Sequence, residues 1–94
     1  MGVITDPQGA VVAGATVLVV NERTGNTERT ITTSEDGSFS ATLLPPGLYR
    51  LEITSKNFKK ATVKDVQVRI NETTRQDLEL EVGAVTETVV VQAA

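Results

Sequence analysis

The sequence contains no cysteine, no histidine and no tryptophan among its 94 residues. Without cysteine it can form neither a disulfide framework nor a thiolate zinc site, and without histidine it lacks the commonest metal ligand of proteins. The missing histidine also removes the usual base of a catalytic serine triad. We therefore expect no catalytic residues, no bound metal and no other cofactor, so that the chain is not an enzyme.

Clustered positive charge is also missing. There are 9 Lys and Arg residues and 12 Asp and Glu residues, which gives a net charge of −3. A nucleic-acid partner requires clustered Lys and Arg to neutralise phosphates, and the densest such cluster, SKNFKK at residues 55–60, has the composition of a solvated loop. No apolar run approaches the roughly 20 residues that a membrane helix needs. We therefore expect neither nucleic-acid binding nor direct membrane insertion by this segment.

The N-terminus carries no recognisable export signal. Residues 1–9, MGVITDPQG, have neither the basic region nor the apolar stretch of a signal peptide. Met1 directly precedes an apparent first strand, so we expect a domain taken from a longer protein. The missing signal therefore says little about where that protein is located.

Alternation of apolar and polar residues is the dominant pattern, and no helical periodicity is present. Together with Gly, Pro and Asn turn signals at regular intervals, it indicates a single all-β domain, an antiparallel seven-stranded β-sandwich. The predicted strands are residues 2–5, 15–21, 27–33, 38–43, 48–54, 66–70 and 78–82, with an optional eighth C-terminal strand at 85–91. We assign residues 1–83 to the sandwich and residues 84–94 to a C-terminal strand or a linker toward a following domain.

The stretch from Ser34 to Ile53 contains two turn signals and two alternating runs. Asp36-Gly37 marks the first turn, and residues 45–47, PPG, fit a type II turn. We predict that the runs flanking this second turn form a hairpin-like pair with one dry and one wet face. Residues 27–33 contain Ile31 as their one large apolar residue, which predicts an edge strand protected by charge. The predicted core residues are Ile4, Val17, Val19, Ile31, Phe39, Leu43, Tyr49, Leu51, Ile53, Val66, Val68, Leu78 and Leu80.

The remaining polar and aromatic side chains fit structural roles better than catalytic or binding ones. We interpret the serines as turn or surface residues and the carboxylates as solvated surface, because they lack the spacing of a calcium-binding loop. Sugar sites present exposed aromatic platforms, and Phe58 is the one candidate, which we expect to fold back over the sandwich. Carbohydrate binding is therefore not favoured. The serines and carboxylates concerned are Ser34, Ser38, Ser40, Ser55, Glu35, Asp36, Asp77, Glu79 and Glu81.

Short motifs occur along the chain in an order that matches a known family. They are G-x-I-x-D-P-x-G at residues 2–9, G-A-T-V at 14–17, D-G-S-F at 36–39, L-P-P-G-L-Y at 44–49, and Phe58. With them the chain resembles the carboxypeptidase regulatory-like domain, and the resemblance implies a transthyretin-like, Ig-like sandwich. Carboxypeptidase activity belongs to a separate catalytic domain in that family, so the resemblance implies an accessory domain.

The C-terminal part resembles a narrower group. Residues 78–94, LELEVGAVTETVVVQAA, are similar to the junction between such a domain and the plug of TonB-dependent outer-membrane transporters, in particular the Oar-like proteins of Gram-negative bacteria. The resemblance implies a non-catalytic N-terminal accessory or interaction module at the periplasmic face of the outer membrane. Its implied partners are other domains of the parent chain and periplasmic or cell-surface proteins.

The sequence leaves the partner-binding residues unidentified, and we would look first at unpaired strand edges near residues 27–33 and 85–91. An alternative function stays open. The chain would then be an Ig-like spacer or adhesion module of a cell-surface or secreted protein, located outside the cell.

Overall fold

The computed structural model describes residues 2–41, 44–69, 76–84 and 86–92, and every regular element in these ranges is a β-strand. The strands form a five-stranded sheet in the order β3-β2-β5-β6-β8 and a three-stranded sheet in the order β4-β1-β7. The predicted all-β sandwich is confirmed, and the eighth strand is present. The strands are β1 (Gly2–Thr5), β2 (Thr16–Asn21), β3 (Thr27–Thr32), β4 (Ser38–Phe39), β5 (Gly47–Thr54), β6 (Lys60–Val68), β7 (Leu78–Glu79) and β8 (Thr88–Gln92).

Most pairings between these strands are antiparallel, as predicted, but β1 pairs with β7 and β6 pairs with β8 in parallel. Parallel neighbours require a crossover connection, because a tight hairpin reverses the chain direction. Here the chain leaves the five-stranded sheet after β6, contributes β7 to the other sheet, and returns as β8 in the same direction as β6. This route places β8 at one edge of the five-stranded sheet and leaves β3 at the other, as predicted for residues 27–33.

The predicted hairpin between residues 38–43 and 48–54 is wrong. β4 pairs with β1, whereas β5 pairs with β2 and β6, so the chain passes from one sheet to the other between β4 and β5. The predicted type II turn is not formed either, since Gly47 begins β5 with a φ of 157° rather than the value of about +80° that this turn requires. Pro45 and Pro46 lack the N–H groups that a hairpin ladder would use.

The core lies between the two sheets. Of the predicted core residues, nine are buried, and Ile31, Val68 and Leu78 are half-buried against the same cluster; Leu43 lies outside the described residues. The confirmed buried residues are Ile4, Val17, Val19, Phe39, Tyr49, Leu51, Ile53, Val66 and Leu80. The core cluster also contains buried residues that were not predicted from the sequence, namely Val12, Ala15, Ala61 and Val63.

β6 begins at Lys60, earlier than the predicted start at residue 66. The first part of the strand was not predicted because a β-bulge interrupts its alternation of apolar and polar residues. Lys64 and Asp65 together stand opposite Arg50 of β5, and Asp65 adopts a left-handed φ of 59°. The extra residue allows Val63 and Val66, which are three positions apart, to face the core together. The register pairs that enclose the bulge are Leu51 with Val63 and Tyr49 with Val66.

A buried threonine connects β3 to an irregular segment. Thr33 follows β3 and is 4% exposed. Its Oγ1 accepts a hydrogen bond from the Ala15 amide at 2.9 Å and donates one to the Val12 carbonyl at 2.8 Å. Because buried backbone groups must be paired, this hydroxyl fixes residues 12–15 against the end of β3.

We expect Thr33→Val to lower the free energy of unfolding by about 2–4 kcal/mol, because the isosteric methyl group would leave the Ala15 amide and the Val12 carbonyl buried and unpaired. Thr33→Ser keeps the hydroxyl and is the matched control, with an expected loss of about 1 kcal/mol for the missing methyl group. Urea unfolding followed by circular dichroism measures both variants. Equal losses would contradict the role of the hydroxyl.

Gly37 lies in the predicted Asp36-Gly37 turn, where the backbone is both left-handed and crowded. Its φ is 73°, and a Cβ there would lie 2.8 Å from the Ile4 carbonyl oxygen and 2.8 Å from the Val11 Cβ. Gly25 has a similar φ of 76° but no atom within 4 Å of its Cβ position.

We expect Gly25→Ala to lower the free energy of unfolding by about 1 kcal/mol, from φ strain alone, and Gly37→Ala to lower it by about 2–4 kcal/mol, from φ strain and crowding. Thermal unfolding compares the two variants, and similar losses would show that the space at Gly37 is not limiting.

Candidate interaction surface

The turn at Asp36 brings together the residues that most resemble a catalytic cluster. Asp36 Oδ1 accepts hydrogen bonds from the Ser34 hydroxyl, from the Ser38 hydroxyl at 2.7 Å and from the Ser38 amide at 3.2 Å. These bonds, led by that from Ser34, lower the pKa of Asp36 from 3.8 to about 2. A general base works best when its pKa lies near the working pH, so this carboxylate is poorly suited to accept a proton. The cluster stabilises the turn.

The acidic residues after residue 76 have separate structural roles. Asp77 Oδ1 accepts a hydrogen bond from the Val3 amide at 3.0 Å. Glu81 lies 3.8 Å from the Lys59 ammonium, and Glu79 is exposed at the end of β7. Within the described ranges, no three acidic side chains come together in a way that could hold a metal ion.

The aromatic side chains pack into the sandwich. Phe39 and Tyr49 are buried, as predicted, and Phe58 is half-buried against the core cluster. Phe58 also forms an isolated β-bridge with Val82. The expected folding back of Phe58 is therefore confirmed, and its contacts are those of a packing residue.

Paired charges cross the outer face of the five-stranded sheet. Glu52 on β5 accepts hydrogen bonds from Lys60 Nζ at 2.6 Å and from Arg50 Nε at 3.0 Å. These bonds, that from Lys60 first, lower the pKa of Glu52. Separately, Lys59 Nζ lies 3.5 Å from the Glu87 carboxylate, just before β8. Because the centre of the outer face is occupied by the ion pairs of Glu52 with Arg50 and Lys60, the sheet edges are the candidate interaction surfaces.

The two edges of this sheet are β3 and β8, the segments in which we expected a partner surface. β3 carries Glu28 and Arg29, and charged side chains on an edge strand oppose pairing with other chains. β8 has the sequence TVVVQ, with no charge and no proline, and Val90 is 57% exposed. A parallel ladder with β6 and a hydrogen bond from Gln92 Nε2 to Asp65 Oδ2 hold β8 in place. Of the two edges, β8 is the less protected.

Comparison of the sequence with known protein families agrees with this arrangement of turns and strands. The profile of the carboxypeptidase regulatory-like domain matches residues 1–81. The chain belongs to this family. A curated relative, the TonB-dependent transporter Oar of Myxococcus xanthus, is 30% identical over 94 residues, which are 100% of this chain and 9% of the relative. The regulatory-like domain thus spans less than a tenth of that transporter, in its N-terminal region.

The motif residues of this regulatory-like domain have structural roles. Asp6 Oδ1 accepts hydrogen bonds from the amides of Gln8 and Ala10, both at 2.9 Å, which closes the first turn. The Tyr49 hydroxyl donates a hydrogen bond to the Pro45 carbonyl at 2.6 Å and secures the entry to β5.

In the part of the domain that the structure describes, no helix is long and apolar enough to cross a membrane.

We expect the contribution of Asp36 to stability to disappear in acid. Its folded pKa of about 2 lies below the ordinary value of 3.8, so the contribution is fully present above pH 3.8 and is lost as the pH falls toward 2. Asp36→Asn should be less stable than the wild type at neutral pH, and the difference should shrink through this window. Urea unfolding at a series of pH values measures it, with Glu35→Gln as the matched control for loss of a neighbouring carboxylate. A difference that stays constant down to pH 2 would contradict the prediction.

Proposed function

We propose that this domain is a non-catalytic N-terminal accessory and interaction module of a TonB-dependent outer-membrane transporter-like protein. The observation that carries the proposal is the alignment with the Oar transporter, which includes all 94 residues of this chain and only 9% of the relative. A segment that small leaves the transport pathway to the rest of the parent protein. The role that remains for it is contact with other domains of that protein or with periplasmic proteins.

The chemistry of the described residues supports a role without catalysis. The Asp36 carboxylate is ionised at neutral pH and accepts hydrogen bonds within its own turn. The Glu52 carboxylate is paired with Lys60 and Arg50. Charged groups held in this way stabilise a scaffold, and they lack the shifted pKa near neutrality that a general acid or base requires.

In this proposal the domain lies at the periplasmic face of the outer membrane. Residues 1–83 would make up most of the sandwich, and residues 84–94, whose strand β8 completes the five-stranded sheet, would lead toward the following domain. β8, which lies in this second segment, is paired with β6, so the connection would leave the domain directly from the edge of the five-stranded sheet. The following domain would therefore begin close to the Gln92 end of β8.

The test uses an antibody against the domain on fractionated membranes of the native source, with samples run both unheated and boiled. Folded outer-membrane barrels migrate anomalously until they are heated. We expect a band much larger than the 10.0 kDa domain, in the outer-membrane fraction, whose migration changes on boiling. The same blot on whole cells treated with an external protease reports the side of the membrane, and protection of the domain is expected.

A soluble or secreted band without a heat-dependent shift would overturn the transporter proposal. That result would favour the alternative function, an Ig-like spacer or adhesion module of a surface or secreted protein. An outer-membrane band whose domain is digested by external protease would retain the transporter and overturn the periplasmic placement.

A further inference from the structure

β8 is an edge strand without the usual protection against pairing with another strand. Natural edge strands are kept apart by charges, prolines, bulges or very short length. β3 carries Glu28 and Arg29, and β4 and β7 are only two residues long. β8 is five residues long, uncharged, free of proline and rich in valine. Such an edge is suited to accept a further strand.

The backbone groups that would bind this strand belong to alternate residues of β8. The Lys60 amide donates to the Glu87 carbonyl at 2.8 Å, and in a parallel ladder the residues bonded to one neighbour alternate along the strand. Residues 87, 89 and 91 therefore bond to β6. Thr88, Val90 and Gln92 direct their N–H and C=O groups to the open edge.

We propose that β8 pairs in antiparallel fashion with β8 of a second copy of this chain, across a two-fold axis at Val90. The sequence TVVVQ is nearly symmetric about its centre, with three valines between two polar residues. In this pairing Val90 lies opposite Val90 of the second copy, Val89 opposite Val91, and Thr88 opposite Gln92. A two-fold interface requires such self-complementarity, because the same patch serves both copies.

The side chains on both faces of β8 suit this arrangement. Val89 and Val91 are half-buried on the core side of the sheet, so their counterparts would extend the apolar layer from one sandwich to the next. The exposed Val90 would gain a β-branched neighbour on the outer face, a favourable cross-strand pair. No charge in β8 meets a like charge, and Glu87, just before the strand, is paired with Lys59.

Pairing through a single edge produces a small contact area, at the low end for specific interfaces. The dimer should therefore be weak and should form reversibly as the concentration rises. This inference depends only on the edge of the sheet and holds whether or not the parent protein is a transporter.

The first test is sedimentation equilibrium of the unmodified chain up to about 1 mM, together with ¹⁵N amide spectra over the same range. We expect the apparent mass to rise from 10.0 kDa toward twice that value. We also expect the concentration-dependent amide shifts to be largest at Thr88, Val90 and Gln92. A mass that stays at the monomer value, with unshifted amides in β8, would overturn the proposal and leave the edge to a strand of a different protein.

The second test uses charge at the two-fold axis. Val90→Lys and Val90→Glu each place like charges directly opposite one another, which opposes pairing, whereas an equimolar mixture places Lys opposite Glu. We expect each variant alone to be monomeric and the mixture to dimerise. Thr30→Lys, at an exposed site on the opposite edge strand β3, is the matched control and should dimerise like the unmodified chain.

A dimer that survives Val90→Lys would overturn the proposal, and so would a mixture of folded Lys and Glu variants that stays monomeric. Circular dichroism reports whether each variant is folded. If a charged variant unfolds, the amide shifts of the unmodified chain decide the question by themselves.

Discussion

Burial of alternating side chains along β5 is the constraint on which the rest of the sandwich depends. β5 is the central strand of the five-stranded sheet, and its inward residues Tyr49, Leu51 and Ile53 are 1%, 6% and 0% exposed. Removing a side chain of this size from water contributes roughly 1.5–3 kcal/mol. The neighbouring strands must present apolar residues in the same register. β2 does so by simple alternation, whereas β6 does so through its bulge, which brings both Val63 and Val66 to the core side.

Strands with regular alternation were predicted correctly from the sequence, whereas irregular segments were not. β5 alternates regularly from Tyr49 to Thr54, so its inward residues could be predicted from period alone. β2 is apolar on both faces, and Val20 is buried beside Val19. The bulge at Lys64 and Asp65 places two polar residues in succession, so the first half of β6 was not predicted as part of the strand. Val12 and Ala15 lie in a segment without any period, and their backbone groups are bonded to Thr33, whose position is set by another strand. Turn signals marked where the chain bends but did not tell which sheet it enters next, and this is why the hairpin between β4 and β5 was wrong.

The candidate surface was predictable to a similar degree. The lack of histidine and cysteine argued against a catalytic site, and the sparse apolar content of residues 27–33 identified one edge of the sheet. The serines around Asp36 could have been identified as its partners, because Asp and Ser at alternate positions in a turn commonly hydrogen bond to each other and to the local backbone. The contacts of Lys59 with Glu81 and Glu87 and the parallel placement of β8 beside β6 join residues far apart in sequence. No local pattern encodes such pairings.

The parallel arrangement of β6 and β8 also gives the domain a direction of mechanical strength. Their register runs from Lys60 with Thr88 to Lys64 with Gln92, and the hydrogen bond between Gln92 and Asp65 lies at the far end. A pull on Gln92 along the strand axis would load all the bonds of this ladder together, in shear. A pull across the sheet would instead open them one after another from the Gln92 end. The direction in which tension reaches the domain therefore determines whether β8 holds as a unit or peels away.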